Sequence, residues 1–248
     1  MSIFAKLIKE QSQKPAIITF GRFNPPTKGH ELLLKKVKSI AGKNDYFIYS
    51  SQSEDPKKNP LRYEDKIKFL REMFPSYKTS IIMDRKIKDV LGAAVDLYKD
   101  GYTELRMVVG SDRVSSFLKL LESYNGKEAK HGFYNFETIE VISAGERDPD
   151  SDDVSGISAS KMRSFAAKND FSSFTQGVPK DFRKTKDLFD SVRDGMNISE
   201  SSFKLGQLVF IPETLSLGVI EKIEESYLVL KETEGLTNRP LSSVISLN

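Results

Sequence analysis

The chain of 248 residues contains only two histidines, and one of them, His30, closes the run Gly21-Arg22-Phe23-Asn24-Pro25-Pro26-Thr27-Lys28-Gly29-His30. These residue types suit the binding of an anion. Gly21 and Gly29 let backbone approach a ligand closely, Thr27 offers a hydroxyl suited to an N-cap, and Lys28 adds positive charge. His30 lies three residues after Thr27, in what reads as a first helical turn, so both side chains can face one pocket. The run follows Ala16-Ile17-Ile18-Thr19-Phe20, a β-branched and aromatic strand signal, and precedes Glu31-Leu32-Leu33-Leu34-Lys35-Lys36-Val37, a helical one. A strand-to-helix turn aims backbone N–H groups and the positive end of a helix dipole at a ligand, and nucleotide phosphates are its natural guest. The plainer alternative is a proline-stiffened loop with a surface histidine.

A second cationic helix start stands about 130 residues further on, at Gly156-Ile157-Ser158-Ala159-Ser160-Lys161-Met162-Arg163. Ser158 is the expected N-cap, and Ser160, Lys161 and Arg163 place hydroxyls and cations on the first turns. Gly110-Ser111-Asp112-Arg113 follows a strand signal and reads either as a nucleotide contact or as a simple helix cap. Lys57 and Lys58 lie in a polar loop and read as a solvated pair, with a phosphate clamp as the alternative. The acidic stretch from Gly145 to Asp153 reads as a solvated loop, with a flap or a magnesium contact as the alternative.

These groups must be positioned by the elements between them. Strands are expected at 16–20, 46–50, 80–83, 105–109 and 138–142, and helices at 31–37, 63–73, 90–98 and 114–124. A further helix is expected at 181–192, after a turn and packed against the sheet. Strands alternating with helices of about a dozen residues argue for an α/β, doubly wound parallel sheet, whose ligands bind at the carboxyl ends of strands. From residue 203 the pattern changes to short alternating runs separated by turn residues, which suggests a small five-stranded SH3-like barrel. The expected domains are therefore 1–198 and 199–248.

The first run closely resembles the Gly-x-Phe-x-Pro-x-(His/Thr)-x-Gly-His signature of the nucleotidyltransferase superfamily, which includes nicotinamide-mononucleotide adenylyltransferases and glycerol-phosphate cytidylyltransferases. The second resembles that superfamily's Ile-Ser-x-(Ser/Thr)-x-x-Arg motif at Ile157, Ser158, Ser160 and Arg163. The resemblance implies a Rossmann-like core and transfer of a nucleoside monophosphate from a nucleoside triphosphate to a small phosphorylated acceptor, with magnesium as cofactor. It implies that His30 binds the triphosphate and supports the transition state, with Thr27 and Lys28 on phosphate. Ser158, Ser160, Lys161 and Arg163 would grip the departing pyrophosphate, and Gly110 and Asp112 would contact ribose or base. Gly21, Arg22, Phe23, Asn24, Gly29 and Ile157 complete the implied nucleotide site. Asn24 points to ATP with a nicotinamide-mononucleotide-like acceptor; CTP with a polyol or sugar phosphate is the alternative, and a non-catalytic nucleotide-binding adaptor is the reading of another class. The overall arrangement looks most like phage-encoded members, which would place the protein in a host cytoplasm.

Composition sets the outer bounds. With 38 basic and 35 acidic residues the net charge is only +3, so phosphate binding must be local rather than a global nucleic-acid footprint. The absence of cysteine excludes disulfides and thiolate metal sites and suits a reducing cytosol. Neither a signal-peptide core in the first ten residues nor a membrane span is expected, and the reading is cytoplasmic. In the C-terminal segment Lys222, Lys231 and Arg239 are balanced by Glu221, Glu224, Glu225, Glu232 and Glu234. A protein contact or homo-oligomer is therefore expected there ahead of nucleic acid.

Overall fold

The computed structural model describes residues 14–145, 157–198, 205–224, 227–240 and 243–246. The expected loop at 146–153 and Gly156 lie outside them. Two compact units divide the chain, Met1–Asn197 and Ile198–Asn248.

The first unit is built on four parallel strands, β1 (Pro15–Gly21), β2 (Tyr46–Ser50), β3 (Glu104–Val109) and β4 (Thr138–Ser143), in the order β2-β1-β3-β4. Between them run the helices α1 (His30–Ala41), α2 (Tyr63–Met73), α3 (Val90–Lys99) and α4 (Val114–Tyr124). Three more helices follow β4: α5 (Ala159–Ala167), α6 (Phe171–Thr175) and α7 (Thr185–Gly195). β1 is apolar on both sides because both faces are covered. Ile17 packs with Val37, Ala41 and Val108, whereas Ala16 and Ile18 pack with Leu105, Met107 and the residues of α3 and α4. A further core joins Phe23, Leu34 and Ile48 to α2 and to Met162, Phe174, Leu188 and Phe189 of the last three helices.

The chain passes from β1 to β2 on one side and returns to β3 on the other, so the strand order switches between β1 and β3. Their carboxyl ends, Gly21 and Val109, therefore splay apart and open a crevice where ligands bind in such folds.

Two expectations are corrected. The run at 80–83 is not a strand; it makes a single parallel bridge, Ile48 to Ile81, at the edge of β2. Two backbone hydrogen bonds make that bridge, from the Ile48 N–H to the Ser80 carbonyl at 2.8 Å and from the Ile82 N–H to the Ile48 carbonyl at 3.0 Å, while the Ile81 carbonyl accepts from the guanidinium of Arg71, whose Nη2 and Nε donate to it at 2.6 and 3.2 Å. The segment after Asp170 also holds an additional short helix, α6, because the Asp170 side chain accepts from the Ser173 N–H at 2.9 Å and caps it. The last helix runs Thr185–Gly195 rather than 181–192, and its buried Leu188, Phe189 and Val192 belong to the core that Ile48 of β2 shares with α2, Met162 and Phe174.

The second unit is an antiparallel sheet of β5 (Leu208–Ile211), β6 (Ser216–Ile223), β7 (Tyr227–Glu232), β8 (Gly235–Pro240) and β9 (Ile245–Ser246). The order is β8-β7-β6-β5-β9, which leaves β8 and β9 as edges. Alternation puts Val209, Ile211, Ile220, Leu228 and Leu230 on one face with Val244. Two of the cations are paired, Lys222 with Glu224 and Arg239 with Glu232 and Glu213.

Candidate active site

A cleft of about 420 Å³ lies at the switch point. The β1–α1 turn contributes Gly21, Arg22, Phe23, Asn24 and His30 to its lining. From the end of β3 come Gly110, Asp112 and Arg113, and from the start of α5 come Ser158, Ser160 and Arg163. The two runs separated by about 130 residues thus share one cavity.

Within the turn, backbone strain and close packing set His30. Phe23 adopts φ 46°, a left-handed conformation unusual for a residue with a side chain. Its ring folds back over Gly21, where a Cβ would stand 2.8 Å from the Phe23 ring, so glycine is required there by the aromatic neighbour. The same ring meets the His30 imidazole edge-on, with centroids 4.9 Å apart. The Thr27 N–H donates to His30 Nδ1 at 2.9 Å, and Thr27 Oγ1 lies 3.1 Å from that nitrogen. An N–H can donate to Nδ1 only if that atom keeps its lone pair, so in the neutral ring the proton sits on Nε2.

Thr27 is not the helix N-cap expected from its type. That position is Gly29, without a side-chain cap, and the fully buried Thr27 hydroxyl faces the imidazole instead. Lys28 is fixed through its main chain, its N–H donating to the Gly177 carbonyl at 2.8 Å. Thr27, Lys28 and Gly29 are not part of the cleft lining, nor are Ile157 and Lys161.

Asn24 stitches the turn to the β2–α2 segment. Its side-chain amide accepts from the Leu61 N–H at 2.9 Å and donates to the Leu61 carbonyl at 3.0 Å. The Asn24 main-chain carbonyl accepts from Arg163 Nη1 at 2.7 Å, while Arg163 Nη2 donates to Ser160 Oγ at 3.0 Å. Burial, and secondarily the nearby charge of Arg22, draw the Arg163 pKa below its ordinary value. Ser158 does cap α5, accepting from the Lys161 N–H at 3.1 Å.

Two lining residues carried little functional signal in the sequence: Thr19 none, and Lys58 only the alternative of a phosphate clamp. Lys58, read as half of a solvated pair, faces the cleft because the turn at 55–59 is locked. Asp55 Oδ1 accepts from the Lys57 and Lys58 N–H groups, and Asp55 and Asn59 exchange backbone hydrogen bonds at 3.0 Å. Thr19, which looked like strand core, lines the cleft with a buried Oγ1 that has no hydrogen-bond partner among the described residues. Among the described residues, four cations of the lining, Arg22, Lys58, Arg113 and Arg163, accompany one carboxylate, Asp112, which lies 3.6 Å from Arg113.

The cytidylyltransferase-like family model matches residues 18–165, more than half the chain and a span that contains every described lining residue of the cleft. The chain belongs to the cytidylyltransferase-like family. It is accordingly a nucleotidyltransferase by family. Nicotinic acid mononucleotide adenylyltransferase from Plasmodium falciparum, solved in complex with NaAD, is a similar structure. Its TM-score is 0.47 and its identity 18%, over 74% of this chain and 98% of that one. Curated protein sequences give no match. Among the described residues, no helix of this family member is long and apolar enough to cross a membrane.

Proposed function

We propose that the protein transfers a nucleoside monophosphate from a nucleoside triphosphate to a phosphate-bearing acceptor, with ATP as donor and nicotinamide mononucleotide or a similar nucleotide as acceptor. The observation that carries this reading is the junction of the two motif runs in a single cationic cleft, with His30 and Arg163 held by hydrogen bonds on its walls. An acceptor phosphate oxygen attacks the α-phosphorus, a new P–O bond forms, and the bond from the α-phosphorus to the bridging oxygen breaks, so pyrophosphate leaves with the electron pair. The acceptor is already an oxyanion, so the protein's work is alignment and charge neutralisation.

In this reading His30 directs its Nε2–H at the charge growing between the α- and β-phosphates, and Thr27 fixes the ring. Arg163, Ser158 and Ser160 receive the β- and γ-phosphates at the start of α5, Lys58 adds a further cation, and Lys28 and Lys161 supply positive charge beyond the lining. The loop at Gly110 and Asp112 faces the nucleoside. Among the described residues no group of three or more His, Asp or Glu is disposed to hold a metal. A cleft whose lining bears one carboxylate among the described residues suits magnesium that arrives on the triphosphate, where it would neutralise phosphate charge.

CTP with a polyol or sugar phosphate is the second reading, favoured by the family match. We further read the C-terminal sheet as an SH3-like barrel serving a protein contact or self-association, supported by its internally paired charges. The deciding experiment is pyrophosphate release with magnesium, across ATP, CTP, GTP and UTP. Each is paired with nicotinamide mononucleotide, glycerol 3-phosphate, pantetheine phosphate or a sugar phosphate, with His30→Ala as control. Turnover confined to ATP and nicotinamide mononucleotide and lost in the variant is the expected result. Intact nucleotide binding without turnover on any pair would overturn it in favour of a nucleotide-binding adaptor.

A further inference from the structure

The C-terminal sheet has an open edge at β8, and one residue reveals which backbone groups that edge presents. β8 pairs with β7 as Pro240 to Tyr227, Asn238 to Val229 and Leu236 to Lys231, with Arg239, Thr237 and Gly235 opposite Leu228, Leu230 and Glu232. Pro240 has no N–H, so its pair with Tyr227 is of the kind that exchanges no hydrogen bonds, and alternation makes the Asn238 and Leu236 pairs the same kind. The N–H and C=O groups of Leu236 and Asn238, and the Pro240 carbonyl, therefore point away from β7. Among the described residues no strand lies beyond β8 to receive them.

A second observation concerns the side chains. Thr237 and Arg239 turn to the opposite face, where both donate to Glu232. The other face of β8 carries Leu236, Asn238 and Pro240, all exposed and none charged. Edge strands are commonly guarded against pairing by a charged side chain, and this face has none on its edge strand. The register continues Leu236 inward through Lys231 and Val219 to Leu208, with Leu217 and Phe210 in the next row. Leu236 is 68% exposed, Leu217 48% and Leu208 44%. Of the eleven large apolar residues that stand most exposed among the described residues, seven belong to this smaller unit, so apolar exposure gathers in the unit that carries the open edge.

The occupant these features fit is a second copy of the chain. A two-fold axis at Asn238 sets that residue against itself and Leu236 against Pro240 of the other copy. The two Asn238 N–H groups donate to each other's carbonyls, and each Leu236 N–H donates to the Pro240 carbonyl across the axis. All four outward N–H groups then have an acceptor, and none is asked of proline. The same register continues the apolar row from Leu236 to Pro240 and Tyr227 of the other copy, and one patch serves both sides, as a closed dimer requires. We propose that the protein forms a two-fold dimer by antiparallel pairing of β8 with β8 of a second copy, centred on Asn238. The proposal rests on our reading of this sheet as a contact surface and not on the reaction in the cleft.

A single edge with its flanking side chains buries less than the about 800 Å² per partner of a standard interface, so the dimer should be reversible. Sedimentation of the full-length protein up to about 500 µM should show a monomer–dimer equilibrium with a micromolar Kd. Leu236→Lys, at an exposed position, should weaken it at least tenfold while leaving the thermal unfolding midpoint unchanged. The chain has no cysteine, so a single introduced one can bridge only two copies. Asn238→Cys should give a covalent dimer on oxidation, because its Cα atoms face each other at about 5.5 Å. Leu236→Cys should not, because its two copies stand about 14 Å apart in this register. A monomer at every concentration would overturn the proposal, leaving a different protein as the partner of the sheet. A dimer that persists in Leu236→Lys, or cross-linking no greater at Asn238 than at Leu236, would overturn it as well.

Discussion

The Thr27 N–H occupies His30 Nδ1, and that one hydrogen bond decides which nitrogen of the ring can donate. Under the proposed reaction, His30→Ala removes an oriented donor from the transition state, and kcat should fall by about 10²–10³ with nucleotide affinity much less affected. Thr27→Val keeps the backbone donor and deletes only the hydroxyl, so it should cost less than about tenfold; pre-steady-state pyrophosphate release measures both. Lys66 makes a different kind of prediction. It is fully buried on α2, its Nζ donates to the Ser51 carbonyl, and burial pulls its pKa down from 10.5 to about 8. Between those two values the unfolded chain holds the proton that the folded chain has released, so stability rises with pH. Urea unfolding at pH 7.5 and pH 9.5 should show a gain on the order of 2 kcal/mol, and Lys66→Met should flatten it. At higher pH, Tyr49, Tyr102 and Tyr134, whose pKa values burial raises, reverse the trend because they ionise first in the unfolded chain.

At the scale of elements, the site is three segments tied together by Asn24: the β1–α1 turn through its own backbone, the β2–α2 segment through Leu61, and α5 through Arg163. Asn24→Ala should orphan both polar groups of Leu61 and destabilise the fold by about 2–4 kcal/mol in chemical unfolding. It should also raise the nucleotide KM, because Lys58 lies on the segment that loosens. The alternation of strands and helices, and the termini where the two motifs sit, were legible because hydrophobic period and turn residues agree locally there. β2, α2 and α4 have the residue ranges that the pattern predicts. The run at 80–83 misleads because β-branched residues advertise a strand, whereas its pairing with β2 amounts to one bridge, Ile48 to Ile81. α6 is too short for any period to show, and β8, Gly235-Leu236-Thr237-Asn238-Arg239-Pro240, is made of residues that read as a turn. Thr19 and Lys66 were silent, and Lys58 was read first as solvated with a phosphate clamp only as the alternative, for one shared reason. Their environments are made by segments that meet only in the folded chain, and periodicity cannot say which polar residue faces a cleft or a core.

At the scale of the whole molecule, every described residue lining the cleft falls between Thr19 and Arg163, inside the first compact unit. The second unit has its own apolar core of Val209, Ile211, Ile220, Leu228, Leu230 and Val244. A unit with a core of its own, joined at one point of the chain, should be separable from the one that carries the chemistry. A fragment ending at residue 198 should therefore fold cooperatively and bind nucleoside triphosphate with the affinity of the full chain, within about twofold. Calorimetric titration of both proteins, with circular dichroism to establish folding, reads this directly. A folded fragment with strongly weakened nucleotide binding would mean that the C-terminal sheet completes the site. Unchanged binding would confine its role to contacts made outside the cleft, and the paired charges on β6, β7 and β8 favour a protein surface over a polyanion as the partner.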